Sequence, residues 1–285
     1  MRLNEVLSKS IQFFKDKNFE SARLDAELLI AHALKLNRMG LYLKHDQPLS
    51  EPEINLCRDL IKRRSAGEPV AYIINEKGFY GFDFYIEPGV LVPRPETEMI
   101  LDLAIQHQEK FQFESPRILD IGTGSGCIGL SAVKNIKSSR LVAIDKSEIS
   151  QKVFLKNLDK LELKDSAQFI LSDFEKINLS ELGSFDFILS NPPYIANTDP
   201  RVQKSVRDFE PAEALFAADN GLALLKSWSQ KTAPLLKPNG LMMMEMGMDQ
   251  GSAMLEHFNQ LNCFRSVEVV KDLAGLDRFI KGIKN

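Results

Sequence analysis

Apolar side chains at Leu3, Val6, Leu7, Ile11 and Phe14 recur at helical spacing, and Leu24, Leu28, Leu29, Ala33 and Leu34 repeat the pattern. Ser21 stands where it can cap the second of these helices. Ser50-Glu51-Pro52-Glu53 opens a third, which carries Ile54, Leu56, Leu60 and Ile61 and breaks at Ala66-Gly67-Glu68-Pro69. Residues 1–70 are therefore expected to form a small helical bundle with no catalytic residue of its own. Over residues 71–92 the period shortens to two. Phe79 to Ile86 is aromatic and alternating, with Gly78 and Gly81 as punctuation, which predicts a linking β-hairpin. From residue 93 to 285, strand and helix patterns alternate. Strands are expected at 117–121, 141–144, 167–171, 185–189 and 241–246, with helices between them. Two last strands, 266–270 and 278–283, are joined only by Lys271 to Asp277, too short for a crossover, so they must form an antiparallel hairpin. The fold class is α/β: a doubly wound, mostly parallel sheet that ends in that hairpin.

Two strand ends in this domain carry chemistry. The first apolar strand runs into Gly122-Thr123-Gly124-Ser125-Gly126, where glycines let the backbone approach a ligand closely at the edge of a parallel sheet. Asp145, ending the next strand, is placed to accept the hydroxyls of a ribose. Gly124-Ser125-Gly126-Cys127-Ile128-Gly129 also satisfies the dinucleotide fingerprint, so a dehydrogenase competes at this point. The second strand end is Ile188-Leu189-Ser190-Asn191-Pro192-Pro193-Tyr194, where two prolines stop the strand and stiffen the loop. A planar NH2 group offers two N–H donors, and the Asn191 side-chain oxygen and the Pro192 carbonyl can accept one each. A dehydrogenase leaves this loop and the terminal hairpin without a purpose. Phe174, just past a strand, can lie against a purine or belong to the core. Cys127 and the methionines Met242 to Met244 read as packing residues, and Arg94 and Glu96 either belong to a helix start or face the cavity.

Composition narrows the class. A net charge of -3 argues against sequence-blind nucleic-acid binding, which rests on phosphate neutralisation. Three widely spaced cysteines form neither a disulfide framework nor a metal-ligand set, and the four histidines are scattered, so no metal is expected. The N terminus lacks the apolar run of a signal peptide and no stretch is long enough to span a bilayer, which points to the cytoplasm.

With these motifs in view, the chain resembles the PrmC/HemK family, the glutamine methyltransferases of peptide chain release factors, over nearly all its length. The resemblance is carried by Gly67-Glu68-Pro69, Phe79-Tyr80-Gly81, Val92 to Glu98, Leu119 to Gly126 and Asn191-Pro192-Pro193-Tyr194-Ile195. Glu210-Pro211 with Ala214-Leu215, Glu245-Met246-Gly247 with Gln250, and Asp272-Leu273-Ala274-Gly275 with Arg278 complete it. Asn75 and Ala218 depart from it, standing where the family usually has glycine. The resemblance implies a class I S-adenosylmethionine-dependent methyltransferase domain, Rossmann-like with a seven-stranded sheet, behind a helical bundle that recognises the substrate. It implies S-adenosylmethionine as methyl donor and S-adenosylhomocysteine as product, with Gly122, Thr123, Gly124, Ser125, Gly126, Asp145, Phe174 and Asn191 around the cofactor. The acceptor it implies is the glutamine amide of a class 1 release factor's Gly-Gly-Gln tip, held by Asn191, Pro192, Pro193 and Tyr194. The protein partner is thus a release factor, with no stable nucleic-acid partner and a monomeric enzyme. An amino methyltransferase acting on adenine or guanine is the alternative that shares Asn-Pro-Pro-Tyr.

Overall fold

The computed structural model describes residues 1–285. Two compact units emerge, Met1–Glu76 with Lys204–Phe209, and Lys77–Gln203 with Glu210–Asn285.

The first unit is helical: α1 (Leu3–Asp16), α2 (Ala22–Ala33), α3 (Arg38–Leu43), α4 (Glu51–Ser65), α5 (Val70–Ile74) and, from later in the chain, Lys204–Phe209. Leu3, Phe14, Leu29, Ile30, Leu60 and Ile73 lie in its core. The expected capping box at Ser50 and Glu53 forms, with the Ser50 amide donating to Glu53 at 2.8 Å. Ser21 instead donates its hydroxyl to the Asp25 carboxylate at 2.8 Å. Leu24 and Leu56, expected on apolar faces, are exposed. α2 buries two carboxylates in their place, because both are paired: Asp25 with Arg64 at 2.7 Å, and Glu27 with Arg23 at 2.9 Å and Arg38 at 2.5 Å. Hydrogen bonds from the Tyr42 hydroxyl, Arg23 and Arg38 outweigh its burial and hold the Glu27 pKa at about 2. The start of the stretch expected as strand is helical: Val70–Ile74 forms α5 and buries Ala71, Tyr72 and Ile73. Asn75 ends it with a left-handed backbone at φ 56°, a conformation asparagine tolerates. Ala218 is extended at φ -68°, so no glycine is required there.

In the second unit, β1 (Glu76–Phe79) and β2 (Phe82–Tyr85) form the expected hairpin. A 3-10 turn, Pro95–Glu98, then leads into α6 (Met99–Phe111). The main sheet follows with β3 (Arg117–Ile121), α7 (Cys127–Asn135), β4 (Arg140–Asp145), α8 (Glu148–Lys160), β5 (Ala167–Leu171) and β6 (Phe185–Ser190). Short strands β7 (Ile195–Ala196) and β8 (Phe216–Ala217) pair beyond β6, with α9 (Lys204–Phe209) and α10 (Ala212–Leu215) between them in sequence. The chain ends with α11 (Ala223–Thr232), β9 (Leu236–Glu245), α12 (Gly251–Gln260), β10 (Phe264–Lys271) and β11 (Asp277–Lys284). Seven strands lie in the order β10-β11-β9-β6-β3-β4-β5. β9, β6, β3, β4 and β5 run parallel, and β11 is antiparallel to both β9 and β10. This is the mostly parallel sheet with an antiparallel C-terminal hairpin that the pattern predicted. Its central strands β3, β4 and β6 are buried on both faces, and every residue of β6 is buried. The order reverses at β3, which puts the switch point between β3 and β6, where ligands of open α/β sheets bind.

Candidate active site

Register brings the two chemistry-bearing loops together. Ile121 of β3 pairs with Ser190 of β6, so Gly122 and Asn191 leave the sheet side by side. The Ser190 hydroxyl donates to the Ile121 carbonyl at 2.7 Å and pins the two strand ends.

The glycine loop has positive φ at Gly122 (68°), Gly124 (54°) and Gly126 (83°), which allows its two sharp changes of direction. Added methyls would strike Trp228 at Gly122 and Phe154 at Gly126, whereas one at Gly124 would meet nothing within 4 Å. The loop's tip therefore faces open space while its ends are packed. Beneath it lies Asp120, 0% exposed, whose Oδ2 accepts from the Thr123 hydroxyl at 2.6 Å and the Gly129 amide at 3.0 Å. Its Oδ1 is buried without a hydrogen-bond partner. Burial lifts the Asp120 pKa from 3.8 to about 6, against the pull of those two bonds. A carboxyl with a raised folded pKa holds more protons folded than unfolded between those two values. Stability from this group should thus fall as pH rises from about 4 to about 6, by up to about 3 kcal/mol. Urea denaturation of the protein and of Asp120→Asn over that window tests this. The variant should gain stability relative to wild type as pH rises, and parallel curves would contradict the assignment.

Asp145 ends β4 with its carboxylate turned to the glycine loop: Oδ2 accepts from the Gly124 amide and Oδ1 from the Ser147 amide, each at 2.9 Å. Burial raises its pKa. Asp145 thus braces the loop, at the strand end where the sequence led to the expectation of a ribose acceptor. Phe174 is only 4% exposed and meets Trp228 edge-on at a centroid distance of 5.8 Å, within the core cluster. Thr123 and Ser125 are buried in the loop. Burial pushes the Cys127 thiol up to about 12, consistent with a packing residue.

On the other side of the switch point, Pro192 and Pro193 are buried and Asn191 and Tyr194 half-buried. The Asn191 side-chain nitrogen donates to the Thr97 hydroxyl oxygen at 3.3 Å. Thr97 donates to Glu245 Oε2 at 2.6 Å, and the Tyr194 hydroxyl donates to Glu245 Oε1 at 2.9 Å. Burial, reinforced by Glu245, raises the Tyr194 phenol. The Tyr194 carbonyl accepts from Gln250 Nε2 at 2.9 Å, and the Gly247 amide donates to Gln250 Oε1 at 2.8 Å. Arg278 donates to Asp272 Oδ2 at 2.9 and 3.1 Å.

Thr97, Glu245, Gln250, Arg278 and Asp120 received no role from the sequence. Glu245 entered the sequence reading only as part of the Glu245-Met246-Gly247 segment of the family resemblance. Arg94 bonds Glu210 at 2.6 Å, and Glu210 also accepts from the Val92 amide at 3.1 Å. Glu96 is exposed.

Comparison with known proteins accounts for both parts of the chain. Residues 5–74 match the PrmC N-terminal domain, and residues 101–239 the methyltransferase small domain. The chain is 35% identical over 285 residues to the release factor glutamine methyltransferase of Nitratidesulfovibrio vulgaris, covering 99% of this chain and 95% of that one. It is 35% identical over 280 residues to the enzyme of that name from Chlorobaculum tepidum, covering 96% and 94%. In fold it resembles a methyltransferase from Pyrococcus furiosus (TM-score 0.53, 18% identity, 80% of this chain and 98% of that one). The hMettl16 catalytic domain, solved with an RNA hairpin, is likewise similar in fold (TM-score 0.55, 16% identity, 82% of each chain).

Proposed function

Because the chain belongs to the family of release factor glutamine methyltransferases, we propose that it methylates the side-chain amide nitrogen of the glutamine in a class 1 release factor's Gly-Gly-Gln tip. The observation that carries this reading is the alignment of Gly122 and Asn191 on adjacent strand ends, a cofactor loop beside an amide clamp. The residues fit S-adenosylmethionine: an open loop tip at Gly124, a carboxylate at Asp145, and an unpartnered Asp120 oxygen. Gly122 to Gly126 would hold its amino-acid part and Asp145 its ribose, with the buried Phe174 ring behind its adenine. When bound, that cofactor supplies an electrophilic methyl on a sulfonium.

The chain's own residues must make a poor nucleophile usable. An amide nitrogen's lone pair is delocalised into its carbonyl. The Asn191 oxygen and the Pro192 carbonyl accept its two N–H bonds, aim the nitrogen, and favour the positive charge that builds on it. Pro193 and Tyr194 flank the flat amide and exclude water. Held by Asn191 and the Pro192 carbonyl, the nitrogen would take the methyl from that sulfonium, leaving the carbon–sulfur electron pair on sulfur, and would then shed one proton. The helical unit holds the body of the release factor while its tip enters. No helix is long and apolar enough to cross a membrane. We read the enzyme as a cytoplasmic monomer.

Labelled S-adenosylmethionine with purified release factor, and separately with RNA, tests the substrate class. Label should enter the release factor and map to that glutamine. Label in RNA alone would assign the chain to base methylation. Asp145→Ala should weaken cofactor binding about tenfold or more, since it removes a charged acceptor and frees Gly124. An unchanged dissociation constant by calorimetry would leave Asp145 a turn residue.

A further inference from the structure

A carboxamide clamp works only when it faces the right way. The oxygen and nitrogen of Asn191 differ in chemistry but hardly in shape, and the wrong face would set NH2 against NH2. Something must choose. Resting on the functional reading above, we propose that Glu245, acting through the Thr97 hydroxyl, fixes the direction of the Asn191 carboxamide and so makes it an acceptor toward the substrate amide.

The argument is one of donors and acceptors. Glu245 is 1% exposed at the end of β9, and Met244 before it pairs with Ser190, so the carboxylate stands level with Asn191. An ionised carboxylate only accepts. Both of its oxygens are met by hydroxyls, Thr97 at 2.6 Å and Tyr194 at 2.9 Å, and each hydroxyl must turn its single hydrogen to the carboxylate. Having spent that hydrogen, the Thr97 oxygen can only accept. Its partner at 3.3 Å is the Asn191 nitrogen, a donor. Turning the carboxamide over would set two acceptors face to face with no hydrogen between them. The chain of bonds therefore has one direction, from the Asn191 nitrogen through Thr97 to Glu245, and leaves the Asn191 oxygen for an incoming N–H. This also favours amide and amino groups as substrates over an acceptor such as a carboxylate.

The direction depends on the charge of Glu245. Arg278 from β11 supplies the stabilising cation, itself held by Asp272. Tyr194 from the loop after β6, Glu96 from the 3-10 turn and Cys127 from α7 are the other titratable groups close to it. Once Glu245 takes up a proton it can donate to Thr97, Thr97 can donate to Asn191, and the orientation is lost. Burial raises the Glu245 pKa, so the loss begins above the ordinary carboxylate range as pH falls.

Three variants test the proposal with release factor as substrate: Thr97→Val keeps the shape without the hydroxyl, Thr97→Ser keeps the hydroxyl, and Glu245→Gln removes the titration. Thr97→Val should lower kcat about tenfold to a hundredfold, the cost of a misaimed clamp, while cofactor affinity stays within about twofold. Thr97→Ser should recover most of that loss. The kcat profile from about pH 5 to pH 8 should show an acid limb in the wild type that is missing in Thr97→Val and Glu245→Gln. Wild-type turnover in Thr97→Val, equal losses in Thr97→Val and Thr97→Ser, or an acid limb surviving in Thr97→Val would each overturn the proposal. A wild-type enzyme that leaves the release factor unlabelled would refute the functional reading itself.

Discussion

Asn191→Ala should lower kcat by about a hundredfold to a thousandfold and leave the fold intact, because on the proposed reading it deletes an acceptor used at the reacting nitrogen. The main chain at this point does not depend on the side chain. Ser190 ties the strand end to Ile121, and Pro192 and Pro193 stiffen the loop beyond it. The only side-chain bond lost is the 3.3 Å one to Thr97, worth about 1 kcal/mol or less. Thermal unfolding should therefore hardly move. Cofactor dissociation constants, measured beside single-turnover transfer, separate the two roles the sequence suggested for Asn191. An unchanged constant with lost transfer makes it a substrate residue alone, and a constant raised in step assigns it to the cofactor too. Transfer near the unmutated rate would remove the amide clamp.

Gly221→Ala should be the most damaging substitution outside the clamp. A methyl at Gly221 would fall 1.9 Å from the Tyr194 carbonyl oxygen and 2.7 Å from Gln250 Nε2, at a backbone φ of 86°. The obstacle is main chain, which cannot swing aside as a side-chain tip can. Gln250 meanwhile bonds both the Tyr194 and Asn220 carbonyls, so displacing either disturbs both. Left-handed strain and overpacking together should cost about 2–4 kcal/mol, and the displaced Tyr194 should lower kcat as well. Denaturant midpoints and turnover measured together check this. A variant with both unchanged would show that Gly221 does not back the loop.

The parts of this structure that were legible in the sequence are those decided locally. The β5 strand and the glycine turn follow from period and from residues with special backbone freedom, and the terminal hairpin follows from a link too short for a crossover. Asn75, as a left-handed stand-in for glycine, follows from its own side chain. The Val70–Ile74 stretch is apolar and mostly β-favouring, yet burial of Ala71, Tyr72 and Ile73, the last in the helical core, decides its conformation. Leu24 misled because the buried circumference of α2 includes Asp25 and Glu27, whose arginine partners lie elsewhere in the chain or on the exposed face. The clamp's support is the clearest case. Thr97 reaches Asn191 across 94 positions of sequence and Glu245 across 148. Packing of the Pro95–Glu98 turn against the ends of β6 and β9 brings these residues together, and no local pattern announces it.

A structure of the enzyme with S-adenosylhomocysteine and a Gly-Gly-Gln peptide gives the central reading its sharpest test. The glutamine's amide nitrogen should lie about 3 Å from both Asn191 Oδ1 and the Pro192 carbonyl, with its free side turned to the cofactor sulfur. A glutamine whose carbonyl oxygen faces Asn191, or whose amide lies away from the Pro192 carbonyl, would contradict it.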